Sequence, residues 1–509
     1  MARDYRPLDR DQLFLLPPDM RSWLPEDHFV WFLLDVVAEL DVSAFEANRR
    51  LGGAGRRGFD PRMLLALLVY GYACGHRSSR RIEDLCTTDV AFKVICAQDP
   101  PDHSTIARFR QDNTTAVESL FVQVLELAGQ AGLGRVGVVA IDGTRIAANA
   151  SHAANRRRSW LAEQVATMMA EADRTDQAED EMFGEDSNPS RMAPDWVDPT
   201  TRQARIKAAL ARAEQAAAKA AAPHRARAAA AEDQVRHAEQ KLAETWQAAQ
   251  ERHQAHAQGR ADAETGQRPR RPAGRPPQPP EQHARTQDAQ ARLDQARDRH
   301  AAAEAKLAEV EAGLDPRANL TDPDSGWMPT SKGWIQGYNT QLAVSDDQII
   351  MAVKVTNTTV DVHQFEPMMT AALTAAAVLD RGRTRVGAQP EPVGLLLADA
   401  GYLTEDNLTV PGPDRLIATG KGGRLQAAAQ TGQRAKRKSE LIEQMSIRLA
   451  TPDGMAAYRR RGVTVEPVNG HLKDRHGLRQ FSRRGQPACQ AEAELAAATA
   501  NLLKIWRRR

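Results

Sequence analysis

The feature that most constrains this 509-residue chain is an interruption. Residues 135–146 turn β-branched and apolar through Val136-Gly137-Val138-Val139-Ala140-Ile141, as a buried strand should. Clear strand character returns only at Gly337-Tyr338-Asn339-Thr340-Gln341-Leu342-Ala343-Val344. From about Arg156 to Leu314 the chain is rich in Ala, Arg, Glu and Gln, with almost no aromatic residues. Segments 201–258 and 284–313 have high helix propensity. The Pro/Arg-rich stretch from Gln267 to Pro280 between them cannot be helical throughout. The expectation is a long helical hairpin or a loosely ordered helical insertion. A clean leucine heptad is missing, so a parallel coiled coil is not secured. The acidic 172–187 stretch reads as a linker.

What surrounds the interruption has the pattern of a folded core. Phe29 to Leu40 forms a strongly apolar helix, and Pro61 suits the first position of the next. Ser79 to Leu85 opens another, Val90 to Cys96 a short one, and Asp102-His103-Ser104-Thr105-Ile106 begins a helix carrying Arg108 and Arg110. Short helices in succession, the last with a Ser/Thr start and two arginines, fit a helix-turn-helix-like DNA-binding unit. A plain helical bundle with solvated arginines fits equally. Beyond the insertion, the run at 337–344, the turn Asp346-Asp347 and the run Gln348 to Val355 make a β-hairpin. An amphipathic helix from Val362 to Leu379, an apolar run 393–398, a short helix near Thr404 to Leu408 and a strand at Arg415 to Thr419 complete a mixed α/β sheet.

Formal net charge is only +2, so whole-chain charge says little about partners. From Lys421 to Arg509, however, 19 Lys/Arg stand against 7 Asp/Glu, a field that attracts polyanions. Four cysteines without a C-x-x-C pair imply reduced, structural thiols. No apolar run is long enough to span a bilayer, and the N-terminus lacks the apolar core of a secretory signal, so an intracellular protein is expected.

Three acids carry the chemistry. Asp142 and Asp399 each follow an apolar run, and Glu466 lies in the basic segment Tyr458 to Lys473. Singly, each aspartate could be a cap or turn residue. A carboxylate ending a buried strand is costly unless paired or bound to a cation, and two converging carboxylates call for a divalent ion. Oxygen ligands without a His/Cys cluster favour Mg²⁺ or Mn²⁺. Two such ions could serve an in-line displacement at phosphorus, with nucleic acid as substrate. Glu466 and Lys473 are seven apart and share a helical face. Pro467 predicts a helix start or kink, which would put Glu466 near a helix N-terminus. Lys473 and Arg461, with Arg459, Arg460 and Arg475, could hold phosphates beside the ions.

At these residues the chain resembles the bacterial insertion-sequence DDE transposases with a Tyr-Arg-Glu-Lys signature. The resemblance rests on Asp142-Gly143-Thr144, Gly337 to Gln341, Ala398-Asp399-Ala400-Gly401-Tyr402 and Val465-Glu466-Pro467-Val468 with Lys473. Asp102 to Ile106 with Phe109-Arg110 resembles an InsH-like N-terminal domain, and the whole likeness covers about 10–150 and 325–506. It implies a ribonuclease-H-like core with a mixed five-stranded sheet and metal-dependent DNA strand cleavage and transfer. It also implies Asp142, Asp399 and Glu466 as ligands of two Mg²⁺ (or Mn²⁺) ions, with Tyr458, Arg461 and Lys473 on DNA. The expected organisation is a helical DNA-binding region at 1–130, the first part of the catalytic core at 131–155, the insertion at 156–315 and the rest of the core at 316–509. Expected partners are the element's terminal inverted repeats and target DNA, with a homodimer or larger assembly at synapsis. Cytoplasmic, nucleoid-associated localisation is expected. Asn469 stands where relatives commonly carry an aromatic residue, an exchange expected to loosen local packing. A catalytically silent DNA-binding repressor and a nuclease without strand transfer are the competing readings. A purely structural helical protein would leave both strand-end aspartates unexplained.

Overall fold

Helix starts along the chain follow from side chains that satisfy the first free backbone N–H groups. In the computed structural model, which describes residues 19–47, 58–183, 202–264, 276–331, 333–420 and 439–509, the His28 ring accepts from Val30 N at the head of α1 (Phe29–Glu39). The single turn α2 (Ser43–Glu46) follows. Asp60 caps α3 (Pro61–Ala73), whose first residue is the expected proline. Next come α4 (Ser79–Thr88), then α5 (Val90–Ile95) capped by Asp89, and α6 (His103–Asp112) capped by Asp102. The longer α7 (Ala116–Gln130) leads into β1 (Val138–Ala147). The chain continues through β2 (Asn155–Arg157), α8 (Arg158–Phe183), α9 (Arg202–Glu264), α10 (Ala284–Gly313) and β3 (Arg317–Asn319). It then forms β4 (Gly326–Thr330), β5 (Gly333–Ser345), β6 (Ile350–Thr356), α11 (Phe365–Arg385) and β7 (Leu395–Ala398). The last elements are α12 (Glu405–Thr409), β8 (Asp414–Ile417), α13 (Glu440–Ala450), α14 (Pro452–Asp474) and α15 (Gln486–Arg508).

Two compact units result, Met1–Ala154 with Asp324–Arg509, and Asn155–Pro323. In the first, the mixed sheet runs β4-β5-β1-β7-β8, and β6 also pairs with β5. Strand β1 is central. It is antiparallel to β5, with Asp142 opposite Leu342, and parallel to β7, with Ala140 opposite Leu397. Strand β8 extends the parallel side. The sheet has one strand more than the expected five, because β4 pairs with the start of β5 and β6 with its later part. Pro329 in β4 lacks an N–H to donate, which an edge strand tolerates.

The strand β6 exposes a row of backbone groups on one side, and α15 covers it with side-chain amides. Gln490 accepts from Val355 N at 2.6 Å and donates to Val353 O at 2.8 Å, while Asn501 both accepts from Ile350 N and donates to Ile350 O at 2.9 Å. An edge that would otherwise recruit another strand is satisfied by a helix. The N-terminal helices and the sheet share one hydrophobic core, from Val30 and Leu65 through Val139 and Leu342 to Leu502. Helices α7 and α11 cross where Gly129 meets Leu379 O and Gly382 meets Glu126 O, backbone approaches that no Cβ could share.

The second unit is a helical hairpin. Arg225 pairs with Glu311 at 2.7 Å and Arg297 with Glu239 at 2.8 Å, so α9 and α10 run antiparallel. Ala209 and Ala213 of α9 are buried with Leu161 of α8 and Ala318 of β3, while Ala289, Leu293 and Ala296 are buried on α10. At its foot β2 and β3 pair antiparallel, Asn155 opposite Asn319 and Arg157 opposite Arg317. One expectation is corrected here. The acidic stretch is no linker up to Phe183, since α8 continues through it. Its chain has enough helix formers to sustain a helix despite its charge. The remainder of that stretch, and most of the Pro/Arg-rich segment, lie outside the described residues.

Candidate functional site

The site is built where α14 lies over β1 and the end of β7; Asp142 falls inside β1, which runs on to Ala147 against β5, and not at the strand end expected. Arg461 Nη2 donates to Asp142 Oδ1 at 2.7 Å, and Asn469 Nδ2 donates to Asp142 Oδ2 at 2.9 Å. Arg461 Nη1 also stands 3.7 Å from Glu466 Oε1, so one guanidinium bridges the two acids. Asp142 and Arg461 are each 14% exposed, whereas the Glu466 side chain is 65% exposed. Burial pushes the Asp142 carboxyl up to about 6; Arg461 pulls it down and Asp399 pushes it further up. Burial alone would lower the Arg461 value, but Asp142, Tyr458 and Asp399 outweigh it and hold the guanidinium above its ordinary range.

Helix α14 runs unbroken through Pro467, which corrects the expected helix start there. Proline cannot donate to the carbonyl four residues earlier. That carbonyl, Val463 O, accepts instead from Gln348 Nε2 at 2.9 Å. Glu466 therefore sits well inside the helix, away from its N-terminus.

Asp399 follows β7 in extended conformation and accepts from Gly401 N at 2.9 Å, closing a short 3-10 turn. Tyr458 OH donates to Ala398 O at 3.3 Å, fastening α14 to the strand end that bears Asp399. Strand alternation places the neighbours of Asp142 on the opposite face of the sheet. There Asp361, in the turn before α11, takes hydrogen bonds from Arg145 (3.3 and 3.2 Å), Asn339 (2.7 Å) and Gln341 (2.7 Å). Tyr402 OH donates to Gln341 Oε1, and burial followed by the Asp361 charge drives its phenol far above the ordinary range. A Cβ on Gly401 would lie 3.0 Å from Asp399 Oδ1 and 3.4 Å from Asp361 Oδ2, so the two carboxylates flank the same glycine.

Sequence reasoning missed Asp361 and the role of Asn469. Asp361 did carry a signal, as an acid between a strand end and an amphipathic helix. Asn469 gives Asp142 a hydrogen-bond donor. Lys473 is half-buried; burial lowers its ammonium, Arg479 adds to that, and Asp142 opposes it. Arg460 is drawn to Asp346 at 2.5 Å, and Arg475 lines a separate cavity, so neither stands beside the acids. On α6, Arg108 is exposed, whereas Arg110 is committed to Arg77 O at 2.8 Å. His103 ties α6 to Glu83 of α4 at 2.9 Å. Among the described residues, no group of three or more His, Cys, Asp or Glu side chains is close enough to hold a metal ion.

Two family models match the chain: Transposase domain (DUF772) over residues 18–112, and Transposase DDE domain over residues 425–506. The first spans α1 to α6 and the second reaches α13, α14 and most of α15. These matches support the resemblance to insertion-sequence DDE transposases at the two regions they cover. No curated protein and no solved structure matches it. Among the described residues no helix is long and apolar enough to cross a membrane.

Proposed function

We propose that the chain cleaves and joins DNA strands at the terminal inverted repeats of an insertion-sequence element, with Asp142, Asp399 and Glu466 as its catalytic acids. One observation carries this reading. Asp142 lies within β1 and Asp399 directly follows its parallel neighbour β7, and the helix bearing Glu466, which lies in the region that matches the transposase DDE domain, bonds to Asp142 and to Ala398 O. Carboxyl ends of neighbouring parallel strands are where such sheets collect ligands. The arrangement of one central strand with antiparallel neighbours on one side and parallel ones on the other supports a ribonuclease-H-like core.

The donor set fits Mg²⁺ or Mn²⁺. It consists of hard oxygens alone, and Asn469 Oδ1 is a buried oxygen without a hydrogen-bond partner beside Asp142. Asp142, Asp399 and Glu466 would hold the ions. Bound there, two ions would activate a water or a 3′-hydroxyl and stabilise the leaving oxygen. The chain's own residues do the rest. Arg461 neutralises Asp142 and spans to Glu466, and its release would free both carboxylates. Asn469 fixes the plane of the Asp142 carboxylate, and Tyr458 holds α14 on the β7 end. Lys473 and the Tyr458–Arg461 face would position the DNA backbone, while Arg108 on α6 makes the helix-turn-helix-like region a second DNA contact. Arg110 would act there by bracing α6 against Arg77. Synapsis of two element ends would require a homodimer or larger assembly, acting in the cytoplasm on nucleoid DNA.

The test is cleavage of DNA carrying the element's ends with Mg²⁺. Asp142→Ala, Asp399→Ala and Glu466→Ala should each abolish cleavage and leave end binding largely intact. Cleavage that survives any one of them would sink the assignment. Cut ends without joined products would identify a nuclease.

A further inference from the structure

Val468, His471 and Leu472 of α14, with Arg475 at its C-terminal cap, line a cavity of about 560 Å³. The C-terminal helix supplies Lys504, Arg507 and Arg508, and the β5–β6 turn supplies Asp347 and Gln348. Five Lys/Arg side chains, Arg135 included, thus meet one carboxylate. That carboxylate is engaged by Gly134 N and Arg135 N at 3.0 Å each and by Ser345 Oγ at 2.7 Å. Among the described residues, no carboxylate lies within ion-pair distance of Arg475, Lys504 or Arg507. Lys504 donates to the Gln348 amide oxygen at 3.1 Å.

Such a cluster opposes itself. Burial depresses the His471 imidazolium, and Arg475, Arg507 and Lys504 depress it further. Like charges gathered on a concave wall raise the local concentration of anions. Arginine forks beside a lysine suit tetrahedral oxyanions.

We infer that this cavity binds phosphate groups, either those of a small polyphosphate or those of a nucleic-acid backbone passing behind the catalytic helix. The backbone source rests on the DNA reading above; the polyphosphate source does not. The full-length protein is acetylated at lysine, and Lys504 is followed by mass spectrometry with inorganic pyrophosphate or a short DNA duplex present. Exposed Lys306 serves as the internal control. Pyrophosphate that protects Lys504 severalfold, with protection lost in the Arg475→Gln/Arg507→Gln variant, establishes the small anion. Protection by DNA alone, with the salt slope of DNA binding reduced by about 2 in that variant, establishes the backbone. Both wild-type measurements stand even if the variant fails to fold. Lys504 acetylated as fast with either probe as without overturns the inference. Protection by pyrophosphate in a protein that never cuts DNA would overturn the proposed function and leave this site standing.

Discussion

Asn469 Nδ2 reaches Asp142 Oδ2 at 2.9 Å across 327 residues of chain, so the amide and the Arg461 guanidinium each take one oxygen of the same carboxylate. Hydrogen bonds to a charged group stabilise by about 1.5–3 kcal/mol. Asn469→Ala should therefore lower the rate of DNA cleavage at least about tenfold while leaving DNA affinity unchanged. Single-turnover cleavage set beside a filter-binding isotherm checks this. Equal loss in both would show that Asn469 serves DNA binding and does not orient Asp142.

Asp361 is 15% exposed, and its oxygens are taken by Arg145, Asn339 and Gln341. Removing it strands a buried guanidinium and two amides. Asp361→Ala should destabilise the first unit by about 3 kcal/mol, read as a lower urea midpoint. Retention of the wild-type midpoint would mean that water replaces the carboxylate without cost.

Burial raises Glu494 from its ordinary 4.5 to about 6, with Gln490 opposing and Glu118 adding to the rise. The folded state thus prefers the neutral acid. Its contribution is fully present below 4.5 and is lost as pH rises through about 6. Glu494→Gln removes that pH dependence. The variant should be more stable than the parent by about 2 kcal/mol at pH 8, with the gap closing below pH 4.5. Thermal melts across this pH range measure it, and a gap that widens toward acid would reverse the sign.

Two glycine-to-alanine changes should have opposite effects. At Gly382 a Cβ would run into Glu126 O and part α11 from α7, costing about 3 kcal/mol. At Gly470, inside α14, nothing lies within 4 Å of the added methyl, so stability should rise by about 0.5–1 kcal/mol. Chemical denaturation of both variants checks the pair.

The place of Asp399 after β7 was legible because its apolar run stops abruptly at an acid, a pattern local to a few residues, whereas Asp142 lies inside β1, whose continuation to Ala147 depends on pairing with β5. The helix starts at Pro61 and Asp102 were legible for the same reason. Pro467 misled because the group that compensates it, Gln348, lies 115 residues earlier. Asp361 escaped notice because its significance resides in Arg145, 216 residues away. The strand β4 was hidden by Pro329, whose tolerance depends on its place at a sheet edge. Local chemistry spoke in the sequence, while pairings across hundreds of residues required the fold.

The small clasp of β2 on β3 holds the foot of the helical hairpin, so the length of that hairpin is a design variable. Helix α9 has 63 residues, a span of roughly 95 Å at about 1.5 Å per residue. The clasp closes the foot of the hairpin, and α9 and α10 run antiparallel beyond it. Matched whole turns could be trimmed from α9 and α10 together, shortening the span like a telescoping rod while its foot keeps the same two strands.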